Sequence, residues 1–273
     1  QGLRINQGQT YVSTVPTAKM RAGDFSEINR PIFDPLNPGN AFAGNVIPGN
    51  RIDPVARNIL TQLYPEANAA GTRSATGQTI NNYVINPVLT RQDNQFDVKL
   101  DHNVSANNRA FVRYSFQKTH RNLPATLPHG DAGVTFGAGD GNIKAQGLAF
   151  NDTHSFSNNL LNELRFGWNS IKFFMTPIDY LQNPAAAVGI PGINLNDATS
   201  GMTQLNFDNI RNLGANSNQP LITNQNDFQV FNSLTKVSGK HTMKAGGSIT
   251  WRSREILNAD TIVGNFRYNA NLT

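Results

Sequence analysis

Three stretches of the chain alternate apolar and polar residues on either side of a short turn rich in Asn, Gly and Ser. They cover 95–118, 147–173 and 228–252, turning at Ser105-Ala106-Asn107-Asn108, Ser157-Asn158-Asn159 and Val237-Ser238-Gly239-Lys240. Successive strand side chains point to opposite faces, so each stretch reads as a β-hairpin with one apolar and one polar face. In the first, Phe96, Val98 and Leu100 share a face, and Val112, Tyr114 and Phe116 continue it on the return strand. Asp97, Lys99, Asp101 and Arg113 take the other side. In the second, Leu164, Phe166 and Trp168 oppose Glu163 and Arg165; in the third, Met243, Ile249 and Trp251 oppose Lys244, Ser248 and Thr250. Phe111, Ile171 and Phe231 break the rule on the polar side, Asp152 and Asn232 on the apolar side.

Alternation of this kind fits two architectures. A soluble antiparallel sheet rests its apolar face on a core and its polar face in water. A barrel wall turns its apolar face to lipid and its polar face to a wet lumen. The connections favour the barrel: polar segments of roughly 24 and 50 residues separate the hairpins and one of roughly 80 precedes them, against turns of a few residues at the other end. Tyr114, Phe116, Trp168 and Trp251 lie well along their strands, away from the tight turns, where an interfacial girdle belongs. The expected fold is all-β: a partial antiparallel transmembrane β-barrel of about seven or eight strands, with long extracellular loops containing short helices. On this reading Phe96, Val98, Leu100, Val112, Tyr114, Phe116, Leu164, Phe166, Trp168, Met243, Ile249 and Trp251 face lipid. Asp97, Lys99, Asp101, Arg113, Glu163 and Arg165 face the lumen, where their mixed signs predict cross-strand ion pairs.

The chain divides accordingly into a partial barrel strand at 1–10, a long extracellular loop at 11–91, and a hairpin region at 92–273. That last region holds loops at 119–142 and 175–224 and a final partial strand at 265–273. A plugged transporter barrel needs about 22 strands, so this wall is expected to belong to something longer. Within the long loop, Thr17 caps one or two helical turns stopped by Gly23, and Asp53 with Pro54 opens a short helix. Its stripe of Val55, Ile59, Leu60 and Leu63 is expected to pack on Phe25, Phe33, Phe42 and Tyr64 of the same loop. A loop of this length loses much chain entropy on ordering and needs a small core to offset it.

Composition narrows the reading. Hydrophobic residues make up 38% and the mean hydropathy is −0.41, which excludes a helical membrane protein but not a barrel diluted by polar lumen and loops. The 23 basic residues are scattered among 18 acids without a basic run, so no nucleic-acid partner is expected despite the +5 charge. With no cysteine, disulfides and thiolate metal sites are excluded. The five histidines include no pair at helical metal-ligand spacing, and no nucleophile motif is present, so neither catalysis nor a cofactor or metal site is expected. The Gly-rich run 136–142 reads as a flexible loop tip.

Several runs carry a resemblance. Thr14-Val-Pro-Thr-Ala-Lys-Met-Arg-Ala-Gly-Asp-Phe-Ser26, Ile32-Phe-Asp-Pro35, Phe42-Ala-Gly-Asn-Val-Ile-Pro48 and Arg51-Ile-Asp-Pro54 come first. Gln92-Asp-Asn-Gln-Phe-Asp-Val-Lys-Leu-Asp-His102, Leu160-Leu-Asn-Glu-Leu-Arg-Phe-Gly167, Gly189-Ile-Pro-Gly192 and Gly239-Lys-His-Thr-Met-Lys-Ala-Gly-Gly247 follow in order. In these runs the chain resembles the Oar-like TonB-dependent receptors of acidobacterial type. The resemblance implies a location in the outer membrane of a Gram-negative bacterium, in contact with its lipid. It also implies a plug and a carboxypeptidase-regulatory-like domain ahead of this segment, and a TonB-type energy-coupling partner reached through that region. Neither the plug nor the TonB box lies within these residues. The implied role is uptake or binding of a bulky extracellular ligand. Alternatives are a soluble or surface-attached β-rich adhesin or binding module without transport, a porin without plug or coupling, and a hydrolase only with its site outside this segment.

Overall fold

A computed structural model describes residues 1–135, 137–258 and 260–268. Seven strands form one antiparallel sheet: β1 (Gly2–Gly8), β2 (Val88–Ser105), β3 (Asn108–Leu123), β4 (Gly139–Ser157), β5 (Leu160–Thr176), β6 (Leu221–Ser238) and β7 (His241–Asn258). Each strand pairs with its neighbour in this order, an up-and-down meander whose sheet is open. The three tight turns fall where the sequence puts them, and Gly239 at φ +57 supplies the left-handed residue the last one requires.

The strands are longer than the alternating segments that announce them. β2 to β7 run 16 to 19 residues, so the hairpins span 88–123, 139–176 and 221–258. The loops shrink to 9–87, 124–138 and 177–220, and the Gly139–Asn142 part of the supposed flexible tip belongs to β4; Phe136 lies outside the described residues. The extra length lies at the long-loop end, where both faces carry polar residues. Alternation is legible only where one face is apolar and the other polar, and over most of this added length it is not.

The final partial strand expected at 265–273 is not part of the wall. Asn265–Tyr268 instead pairs in parallel with Gln204–Phe207, a segment of the third loop, and stacks Tyr268 on Phe207 at 5.2 Å; residues 269–273 lie outside the described residues.

The loops build a cap of their own. Thr17 Oγ1 accepts the Met20 N–H at 3.3 Å to start α1 (Ala18–Arg21), and Asp53 Oδ1 accepts the Val55 N–H at 2.8 Å to start α2 (Pro54–Asn58). A wider turn, Ile59–Leu63, carries α2 onward, and α3 (Pro184–Ala187) lies in the third loop. The buried cluster comprises Val15, Ile59, Leu63, Tyr64, Leu127, Ala185, Val188, Ile190, Met202, Leu205 and Leu213. Among the described residues no wall strand contributes to it.

The stripe on α2 therefore packs only in part where the sequence suggests: Ile59 and Leu63 share a cluster with Tyr64, as expected, but not with Phe25, Phe33 or Phe42. Ile59, Leu63 and Tyr64 join Leu127 of the second loop and five or more residues of the third, whereas Phe33 is 38% exposed and Phe25 and Phe42 stay outside the cluster. The meander delivers all three loops to one end of the sheet, so their apolar residues bury more deeply together than against one turn-rich path.

Candidate functional site: a two-faced wall beneath a shared loop cap

Register converts the sequence pattern into two faces. One cross-strand row reads Leu100, Val112, Phe150, Phe166, Val230 and Ile249, the next Val98, Tyr114, Leu148, Trp168, Phe228 and Trp251. Phe96 and Phe116 extend the band toward the loops on β2 and β3 and stack at 5.3 Å; Leu164 and Met243 sit nearer the tight turns. All twelve apolar residues singled out from the sequence thus share one face. No second sheet covers them: Leu100 is 65% exposed, Ile249 58%, Trp251 55% and Phe96 49%. Two unbroken apolar rows left open across six strands form a patch that a water-soluble protein rarely exposes. The sandwich alternative fails here, because it requires this face to be buried against another layer.

The opposite face carries the charged set, Asp97, Lys99, Asp101, Arg113, Glu163 and Arg165. Arg113 Nη2 reaches Asp97 Oδ1 across the strands at 2.8 Å, as cross-strand pairing predicts. Lys99 pairs instead with Asp101 along its own strand at 2.7 Å, and Arg165 likewise with Glu163. These pairs are largely exposed and screened by solvent, so they contribute little to stability. The aromatic exceptions on this face have partners: Lys99 Nζ stands 4.6 Å from the Phe111 ring centre, and the Arg165 guanidinium 5.4 Å from that of Phe231. The polar exceptions on the apolar face, Asp152 and Asn232, lie in one row near the tight turns and are hydrogen-bonded by Asn108 and Asn162 at 3.1 Å. Two open grooves of about 440 and 560 Å³ run along the polar face, past Asp97, Arg113 and Asn169 and past Glu163, Arg165 and Phe231.

Above the grooves the cap is cross-linked loop to loop. Tyr64 donates its hydroxyl to Arg211 O at 2.6 Å, Asn58 Nδ2 reaches Val188 O at 3.2 Å, and Gln78 Nε2 reaches Asn209 O at 3.0 Å. Burial pushes the Tyr64 hydroxyl well above its ordinary pKa, so it remains a donor. Arg21 closes α1 onto the end of α2 by donating to the carbonyls of Leu60, Tyr64 and Pro65. In the second loop both oxygens of buried Asp131 are taken up, by Thr126 at 3.1 Å and by Thr135 at 2.7–3.0 Å. Gly130 and Gly214 bring the second and third loops backbone to backbone, where a Cβ at either would strike a carbonyl. The cap meets the polar-face end of the wall where Arg121 Nη2 donates to Gly137 O at 3.4 Å. A recess of about 330 Å³ opens in the cap between Met20, Phe25, Ile32, Leu60, Phe207 and Ile210. Elsewhere in the first loop Arg51 and Asn37 donate to Asp34 and hold that carboxyl down at about 2. Among the described residues no group of three or more His, Asp or Glu side chains could hold a metal ion.

The fold and its two faces define a membrane-wall protein, and comparison agrees: residues 1–273 match the family model described as an outer membrane beta barrel domain. The chain belongs to that family, and its place is the outer membrane. No curated protein and no solved structure matches it. No helix among the described residues is long and apolar enough to cross a membrane, as expected of a protein that crosses with strands.

Proposed function

We propose that this chain is part of the wall and the extracellular cap of an Oar-like TonB-dependent receptor that takes up or binds a bulky ligand, and that it is not an enzyme. The twelve apolar residues from Phe96 to Trp251 face lipid, and the six charged residues from Asp97 to Arg165 face the lumen. One observation carries the receptor reading: three long loops share a single buried core at one end of the wall. A passive pore has no need to order so much chain, whereas a recognition surface does. On this reading the recess beside Phe25 and Phe207 receives the ligand and the polar grooves line the lumen.

Residues 31–50 contribute nothing to the shared core, so they can be removed without dismantling it. Deleting them from the full-length protein should abolish ligand binding while the barrel still reaches the outer membrane, measured on membrane fractions with ligand captured from spent medium. Uptake should also cease when the TonB-type partner is deleted. Unchanged uptake in that strain would leave a passive pore, and unchanged binding after the loop deletion would reduce the loop to a tether.

A further inference from the structure

On the apolar face, two register steps toward the loops from the Tyr114–Trp168 row, three lysines stand side by side. Lys144 is paired in register with Lys118 on one flank and with Lys172 on the other. Directly paired residues of antiparallel strands have Cα atoms about 4.5–5.5 Å apart. All three side chains are exposed, and among the described residues none forms an ion pair. Lys144 rests its ammonium 6.0 Å from the Phe116 ring centre. Like charges directly opposite one another destabilise a sheet, and here two such pairs share one residue.

The surroundings do not neutralise them. The rest of this row on β1 and β2 is Gly2 and Asn94, and the next row adds Arg4, His120 and Asn142. On the same face Asp140 lies four residues nearer the loops and is bonded by Asn122 at 2.9 Å, and Glu255 lies two strands beyond Lys172. Lys118 follows Phe116 by two residues, while Lys144 and Lys172 lie four residues from Leu148 and Trp168. At about 3.3 Å per residue that is roughly 7–13 Å beyond the apolar band, the depth at which lipid headgroups begin.

We propose that Lys118, Lys144 and Lys172 form an outward-facing site for the phosphate groups of a phosphorylated outer-leaflet glycolipid. The acyl chains of that lipid lie on Tyr114, Leu148 and Trp168. Three ammonium groups in one exposed row match a multiply charged headgroup, and the aromatic row beneath supplies the apolar contact its chains need. The inference rests on the reading that this face meets lipid.

The test uses the full-length protein in detergent micelles, with bis-phosphorylated lipid A and its dephosphorylated form as probes, scored by native mass spectrometry. Each Lys→Gln change should weaken retention of the phosphorylated probe about fivefold and the triple K118Q/K144Q/K172Q about a hundredfold. The dephosphorylated probe should bind both proteins equally weakly, and Lys→Arg changes should keep most of the affinity. Equal retention by wild type and the triple variant overturns the site, as does displacement of lipid A by millimolar inorganic phosphate alone. A control separates the underlying reading: Phe166→Cys, in full-length protein with any cysteine outside these residues replaced by serine, carries a single fluorophore. Quenching of that fluorophore by a lipid-chain quencher upholds the lipid face even if the lysine site fails; quenching only by an aqueous quencher removes both.

Discussion

Individual side chains on this wall differ chiefly in which of its two faces they take. Phe166 and Thr235 sit on neighbouring strands, Phe166 in the apolar band and Thr235 on the opposite face. Phe166→Arg should therefore cost about 2–4 kcal/mol in a refolding titration into bilayers, and Thr235→Arg far less. Comparable costs at the two positions would mean that the faces do not meet different media. Asp34 offers a second residue-level test, in the cap and outside the membrane. Its carboxyl is lowered from 3.8 to about 2, first by the Arg51 hydrogen bond and then by Asn37. A lowered folded value means that its contribution is complete above pH 4 and lost as pH falls toward 2. The Leu36 amide, which donates to Asp34 Oδ1 at 2.9 Å, should report a titration midpoint near 2 in an NMR pH series. A midpoint near 4 would show that the Arg51 contact does not persist in solution.

Among the elements, the cap and the wall are held together by different forces, so they should fail separately. The wall depends on ladders between long neighbouring strands; the cap depends on a small apolar cluster filled from three loops. Leu205 is buried at its centre and pairs with Leu213 across an isolated bridge. Leu205→Ala should destabilise the cap by about 2–5 kcal/mol. Amide exchange should quicken in Ile59–Leu63 and Pro184–Ala187 while β3 to β5 keep their protection. Simultaneous loss of protection in β4 and β5 would show that cap and wall unfold as one unit. Arg21 ties α1 to the end of α2 through three backbone carbonyls, so Arg21→Met should loosen the first loop alone.

As a whole molecule, the chain is a barrel wall whose strands satisfy their backbone groups by pairing with their neighbours. Full-length protein loaded unheated on a gel should run ahead of the boiled sample, because the barrel stays compact in detergent until heated. Identical mobility would contradict a closed wall in the intact protein. The polar grooves, the loop recess and the lysine row lie on three different surfaces, so each can be altered without touching the other two.

The sequence by itself determined the hairpins, their turns, the caps of two helices and the division of eighteen named residues between two faces. It could do so because a strand whose faces meet different media must alternate, and because caps and tight turns act within a few residues. It did not determine strand length, since most of the upper strands carry polar residues on both faces and leave no period to read. Nor could it show that the α2 stripe packs against Leu127, Val188 and Leu205, or that Asn265–Tyr268 joins the cap rather than the wall. Those contacts join loops far apart along the chain, and local pattern carries no record of which loops the meander brings together. Lys118, Lys144 and Lys172 make the same point: each is an unremarkable surface lysine alone. Only the pairing register places the three in one row: the tight turn and the shift at Ser155/Ser157 set it between β4 and β5, whereas β3 and β4 are joined only through the long second loop.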